Sequence, residues 1–167
     1  MGKLINNASL SQKWLVECFD KAGRLKWREE FENLVPTVGL NKYLDATIKT
    51  GLASPAWYVG LKGTGTPAAG DTMASHGTWS EITPYSNATR PAYTPGTIAS
   101  GSVDNSASKA SFNINGTSTV YGAFMADNST KSGTSGTLLG VGDFSASRAV
   151  SDGDTLNVTV TCSLTAS

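Results

Sequence analysis

The clearest pattern in the chain lies near its end, where Leu156, Val158, Val160, Cys162 and Leu164 alternate with Asn157, Thr159, Thr161 and Ser163. A period of two is that of a strand with one face on a core and the other in water. Shorter apolar runs at 57–61, 110–114, 119–125 and 138–141 are separated by Gly, Ser, Thr, Asn and Asp clusters and read as further strands. Near the start, two strand-like runs flank Asp20 to Gly23, with Asp to open a turn and Gly for a positive φ, which predicts a hairpin over 13–31. In its second strand Leu25, Trp27 and Glu29 share one face, opposite Lys26 and Arg28. Between hairpin and sandwich, Leu40, Tyr43, Leu44, Thr47 and Ile48 recur at helical spacing, and Gly51 stands where a helix-ending glycine belongs. This predicts a helix over 38–49 with Asn41, Lys42, Asp45 and Lys49 on its wet side, lying on the sandwich or closing one end of it.

These elements predict an all-β fold, a jelly-roll-like β-sandwich with an N-terminal hairpin and one short helix. The long connection 62–101 favours that topology over a simple meander. At 167 residues the chain fits one domain. Residues 1–12, polar but carrying Leu4, Ile5 and Leu10, read as a flexible arm able to dock on a neighbour, and 13–167 as the sandwich domain, with its remaining strands over 56–164.

Composition narrows the chemistry. Gly, Ser and Thr supply 58 of the 167 residues, and 13 basic residues balance 13 acidic ones. A net charge of zero gives no electrostatic reason to approach nucleic acid or an anionic membrane. No apolar run has the length of a membrane span or of a secretory signal core, so synthesis in the cytoplasm with free thiols at Cys18 and Cys162 is expected. The single histidine, His76, has Asp71 and Glu81 nearby in sequence, yet no second imidazole or thiol with which to build a metal site, and a hydrogen bond that orders its loop is the expected role. Asp152-Gly153-Asp154 reads as a turn rather than a calcium loop, and Gly60, Gly63 and Gly65 as a strand exit rather than a phosphate cradle. The four tryptophans, Trp14, Trp27, Trp57 and Trp79, offer stacking surface for a sugar, but a chain with five Phe and few Ile needs Trp57 and at least one of the hairpin pair in its core. No catalytic, metal or cofactor residue is expected.

Several strings taken in order carry a resemblance. Val16 to Trp27, Asn33-Leu34-Val35, Gly39 to Asp45, Ala56 to Gly63, Asp71 to Glu81 and Tyr85 to Pro95 resemble small virion structural proteins of tailed bacteriophages, most of all the capsid decoration, or cement, proteins. The resemblance runs over roughly 12–164 and implies a non-enzymatic jelly-roll sandwich on the capsid exterior. It implies the major capsid protein as partner and self-association, a dimer favoured over a trimer. A tail-fibre or receptor-binding module of a phage is the alternative. The expected interface is the hairpin, where Arg24, Lys26, Arg28 and Glu30 stand beside Trp27 and Phe31, so that apolar anchors and orienting charges share a short span.

Overall fold

The computed structural model describes residues 8–49 and 55–166, and side chains from Ser9 to Thr165 within them. Two antiparallel sheets form a sandwich. The first is ordered β2 (Leu25–Glu32), β1 (Ala8–Phe19), β10 (Thr155–Ala166) and β6 (Ser102–Asp104), with β7 (Ala110–Asn113) on the other half of the same β10 edge. The second is ordered β4 (Glu81–Ile82), β3 (Trp57–Lys62), β8 (Ser118–Ala126) and β9 (Leu138–Val150), and β5 (Ala92–Tyr93) pairs with the start of β3. The all-β sandwich expected from the pattern is what the chain forms.

The backbone of the first sheet is β1 against β10, paired without interruption from Ala8↔Ala166 to Phe19↔Thr155. This corrects the expected arm: residues 8–12 belong to a central strand, and Gln12 is buried. Burial rather than polarity decided it, because the Gln12 side chain finds a hydrogen-bond partner in Asn33. Residues 1–7 lie outside the described residues, as does Gly51. At the hairpin turn Asp20 accepts from the backbone N–H groups of Ala22 and Arg24, and Gly23 takes the positive φ of 74°.

The main core lies between the sheets. Trp14, Val16 and Cys18 of β1 and Leu156, Val158 and Val160 of β10 meet Val59, Leu61, Ala123, Met125 and Phe144 from the second sheet. A second, smaller core lies on the outer side of the second sheet. Phe124, Ala126, Leu138 and Val141 point outward there and are covered by Met73 and Trp79 from the long connection and by Val38. Gly60 makes room for this layer, since the Phe124 ring lies across the position its Cβ would take.

Helix α1 (Thr37–Thr47) occupies the predicted stretch but turns its apolar stripe the other way. Its buried residue is Gly39, whose Cβ position sits 2.6 Å from the Leu139 carbonyl oxygen, so the helix packs backbone-close on β9. Leu40, Leu44 and Ile48, expected to face the core, are 44%, 56% and 75% exposed.

Candidate functional site

The hairpin residues singled out from sequence divide by face. Trp27 and Phe31 turn inward and close the seam between β2 and β9. Trp27 Nε1 donates to the Ala149 carbonyl at 3.2 Å, and the Phe31 ring stacks on Trp14 at 5.7 Å and meets Phe144 edge-on at 5.4 Å. Both rings are thus partly buried against the main core, and only part of each is open at the surface. Period-two geometry fixes this: once Glu29 faces in, Trp27 and Phe31 must as well. Arg24, Lys26, Arg28 and Glu30 remain outside, and each is engaged within the molecule. Arg24 pairs with Asp20 at 2.8 Å, Lys26 with Asp154 at 2.5 Å, Arg28 with Glu30, and Glu30 also with Lys13 at 3.4 Å.

Glu29 is the polar centre of the seam. Its buried carboxylate accepts from Arg148 Nε at 2.6 Å and from the Ser145 hydroxyl at 2.9 Å. Burial by itself would raise this carboxyl, but the hydrogen bonds from Arg148 and Ser145 and the guanidinium charge hold it below its ordinary range. Opposite Phe31, Gly142 leaves the space its ring occupies, and Gly140 does the same for Gln12 and Asn33.

Two buried cations, each with a carboxylate partner, are not legible in the sequence. Arg90 is fully buried and donates to both Glu81 oxygens, at 2.9 and 2.7 Å, and to the carbonyls of Asn128 and Gly133, while its guanidinium lies 5.0 Å from the Phe124 ring centre. Lys62, also fully buried, reaches Asp143 at 2.5 Å and the carbonyl of Gly63 at 3.1 Å. Arg90, through the Asn128 and Gly133 carbonyls, ties the connection 62–101 to the loop between β8 and β9, and Lys62 joins β3 to β9. Nothing in local spacing signals them, because each partner is set by a tertiary contact.

His76 takes the loop-ordering role expected for it. Its Nδ1 lies 3.0 Å from the Trp79 carbonyl oxygen and its ring stacks on Trp79 at 4.0 Å. Asp71 instead accepts from Trp79 Nε1 at 2.8 Å, and Glu81 is taken by Arg90, so neither carboxylate orients the imidazole. Asp152 to Asp154 forms the turn before β10, with Gly153 at φ 85° and Asp154 accepting from the Ser151 N–H. Both cysteines are free, and burial, then the charge of Asp154, pushes the Cys18 thiol up to about 12, so it stays protonated and inert. Burial also raises the Cys162 thiol. All four tryptophans pack on one or other core, Trp14 and Trp79 buried within it and Trp27 and Trp57 against its side.

What remains available at the surface is concentrated at the end of the sandwich opposite the hairpin turn. The eight residues of β2 separate the two ends by about 26 Å at 3.3 Å per residue. There α1 presents Leu40, Leu44 and Ile48 to solvent, and Ile98 and Leu164 are exposed as well. On another side of the same helix, Lys42, Tyr43 and Ala46 join Leu10, Trp57, Met125 and Leu139 around a cavity of about 480 Å³ that opens between the sheets. Among the described residues no group of three or more His, Cys, Asp or Glu could hold a metal ion, and no helix is long and apolar enough to cross a membrane. No family model matches the chain, and no curated protein sequence matches it.

Proposed function

We propose that this protein is a non-enzymatic virion structural protein that binds the outside of a tailed bacteriophage's major capsid shell and stabilises it, docking through α1. The observation that carries the docking face is the stripe of Leu40, Leu44 and Ile48, exposed on a helix whose opposite side is held against β9 at Gly39. Apolar residues at i, i+4 and i+8 form one continuous strip, and such a strip on a rigid support is what an interface core requires. The identity of the partner rests on the resemblance of the ordered strings from Val16 to Pro95. The hairpin charges Arg24, Lys26, Arg28 and Glu30 are the alternative face, disfavoured because their partners are already inside the molecule. Self-association follows from the repeated sites of a symmetric shell, with a dimer the first expectation and a trimer the second.

A phage receptor-binding module is the second reading, favoured by the apolar cavity beside α1. The test is occupancy on undecorated capsids of the host phage. Leu44→Ser with Ile48→Ser should abolish binding while leaving the urea midpoint close to wild type, since both side chains are already exposed. Arg24→Ala, Lys26→Ala and Arg28→Ala together should leave binding nearly intact. Loss of binding only in the hairpin variant would move the docking face to β2, and no binding by the wild-type protein would overturn the capsid reading.

A further inference from the structure

The cavity at the α1 end has a property that the docking stripe does not share. Its volume, about 480 Å³, falls within the roughly 300–1,000 Å³ of small-molecule sites. Its inner wall reaches residues of the main core, among them Met125 and Leu139, both nearly inaccessible to solvent. A core of this kind is ordinarily filled by its own side chains, because unfilled apolar space forfeits dispersion contacts.

The charge on the wall is one-sided. Lys42 lines the cavity and is half-buried, and no Asp or Glu lines it among the described residues. Every other described lysine or arginine is paired: ten with carboxylates, and Lys131 with the Tyr85 carbonyl and ring. In a chain that spends its cations so completely, the one without a partner among the described residues stands on the wall of its apolar cavity. An ammonium there is complemented by an anion, and the apolar wall by a hydrocarbon chain.

We infer that this cavity binds an amphipathic monocarboxylate of the medium-chain fatty-acid class, its chain between the two sheets and its carboxylate against Lys42. Binding is a property of the isolated protein and does not depend on what the outer stripe of α1 docks on. Cys162 also lines the cavity, and with its thiol held protonated by burial it serves as part of the apolar wall rather than as a nucleophile.

Decanoate is the probe, and wild-type protein carrying ¹³C-methyl methionine reports on it without any substitution. Met125 lines the cavity, whereas Met73 sits in the second core outside the second sheet. Titration should shift the Met125 methyl saturably, at one equivalent per chain, and leave Met73 in place. An unmoved Met125, or equal movement of both, would overturn the inference. Decanol, with the same chain and no charge, should bind about tenfold more weakly, and Lys42→Gln should bring decanoate down to the decanol level, with Lys42→Arg restoring most of the difference. Equal affinities of the two ligands for the wild-type protein, or undiminished decanoate binding by Lys42→Gln, would remove the carboxylate from the assignment.

Discussion

The outer faces of the two sheets obey different rules. That of the first sheet carries charge: Lys13 pairs with Glu30 across β1 and β2, Arg28 with Glu30 along β2, and Glu17 with Lys109, with Asn157 and Thr161 beside them, in contacts largely open to water, while Lys26 reaches the buried Asp154 at its edge. That of the second sheet is roofed by the connection 62–101, in which Arg90 holds Glu81 and the Asn128 and Gly133 carbonyls, Trp79 bonds Asp71 within the roof, and Lys62 below it joins β3 to Asp143 of β9. The same two kinds of group, an ammonium or guanidinium and a carboxylate, therefore do different work on the two faces. In water they neutralise each other at little net gain. Under the roof Arg90 and Glu81, both buried, satisfy each other and Arg90 two backbone carbonyls as well, so losing one partner strands the other.

The sharpest way to break this contrast is Arg90→Met. It leaves the Glu81 carboxylate buried with only the Ser132 N–H among the donors seen here, and should cost about 3–5 kcal/mol of unfolding free energy in urea titration. A loss below about 1 kcal/mol would show that the roof is not fastened there. Gly60→Ala comes next, since the new methyl meets the Phe124 ring under that same roof; about 1–3 kcal/mol is expected, with a changed Trp79 emission as the ring and its neighbour shift.

The seam between the sheets gives a pH-dependent test. The folded Glu29 carboxyl lies below its ordinary value of 4.5, so it contributes stability that is fully present above that value and is lost as the pH falls through the lower, folded-state value. Acid titration of the wild-type protein should show this loss below about pH 4.5, and Glu29→Gln should flatten that part of the curve while lowering stability at neutral pH. A curve of unchanged shape would mean that Arg148 and Ser145 do not favour the ionised form. The smallest effect is expected on the charged face, where Asn157→Ala should stay within about 0.5 kcal/mol of wild type. A larger loss would mean that this face, too, is covered in solution.

The contrast between faces also explains what was legible. Strand β10 is readable because Leu156, Val158 and Val160 meet the core while Asn157 and Thr161 are only partly covered, so burial follows the apolar period there, even though Thr159 is buried and Leu164 lies exposed beyond the core's end. In β8, Gly122 to Ala126 are all buried, because one face meets the main core and the other the roof, and the alternation disappears. The apolar run marks β9 only over 138–141; the strand continues to Val150 through Gly142, which admits Phe31, and through the polar Asp143, Ser145, Ser147 and Arg148, none of which carries a hydrophobic signal. Strands β4, β5 and β6, of two or three residues, are too short for any period to show.

By itself, the sequence determined the all-β class, the hairpin with its Asp20 to Gly23 turn, the position of α1, the free cysteines and the loop-ordering part played by His76. Each of these depends on neighbours in the chain, on turn chemistry or on a local period. Tertiary structure alone decided which way things face. The helix period marks Leu40, Leu44 and Ile48 as one stripe, but Gly39, by letting the backbone approach Leu139, sends that stripe outward. Likewise the strand period groups Trp27 with Phe31, and the meeting of β2 with β9 turns both into the seam. Periodicity fixes which residues share a face; only the partner that arrives from elsewhere in the chain fixes whether that face is buried.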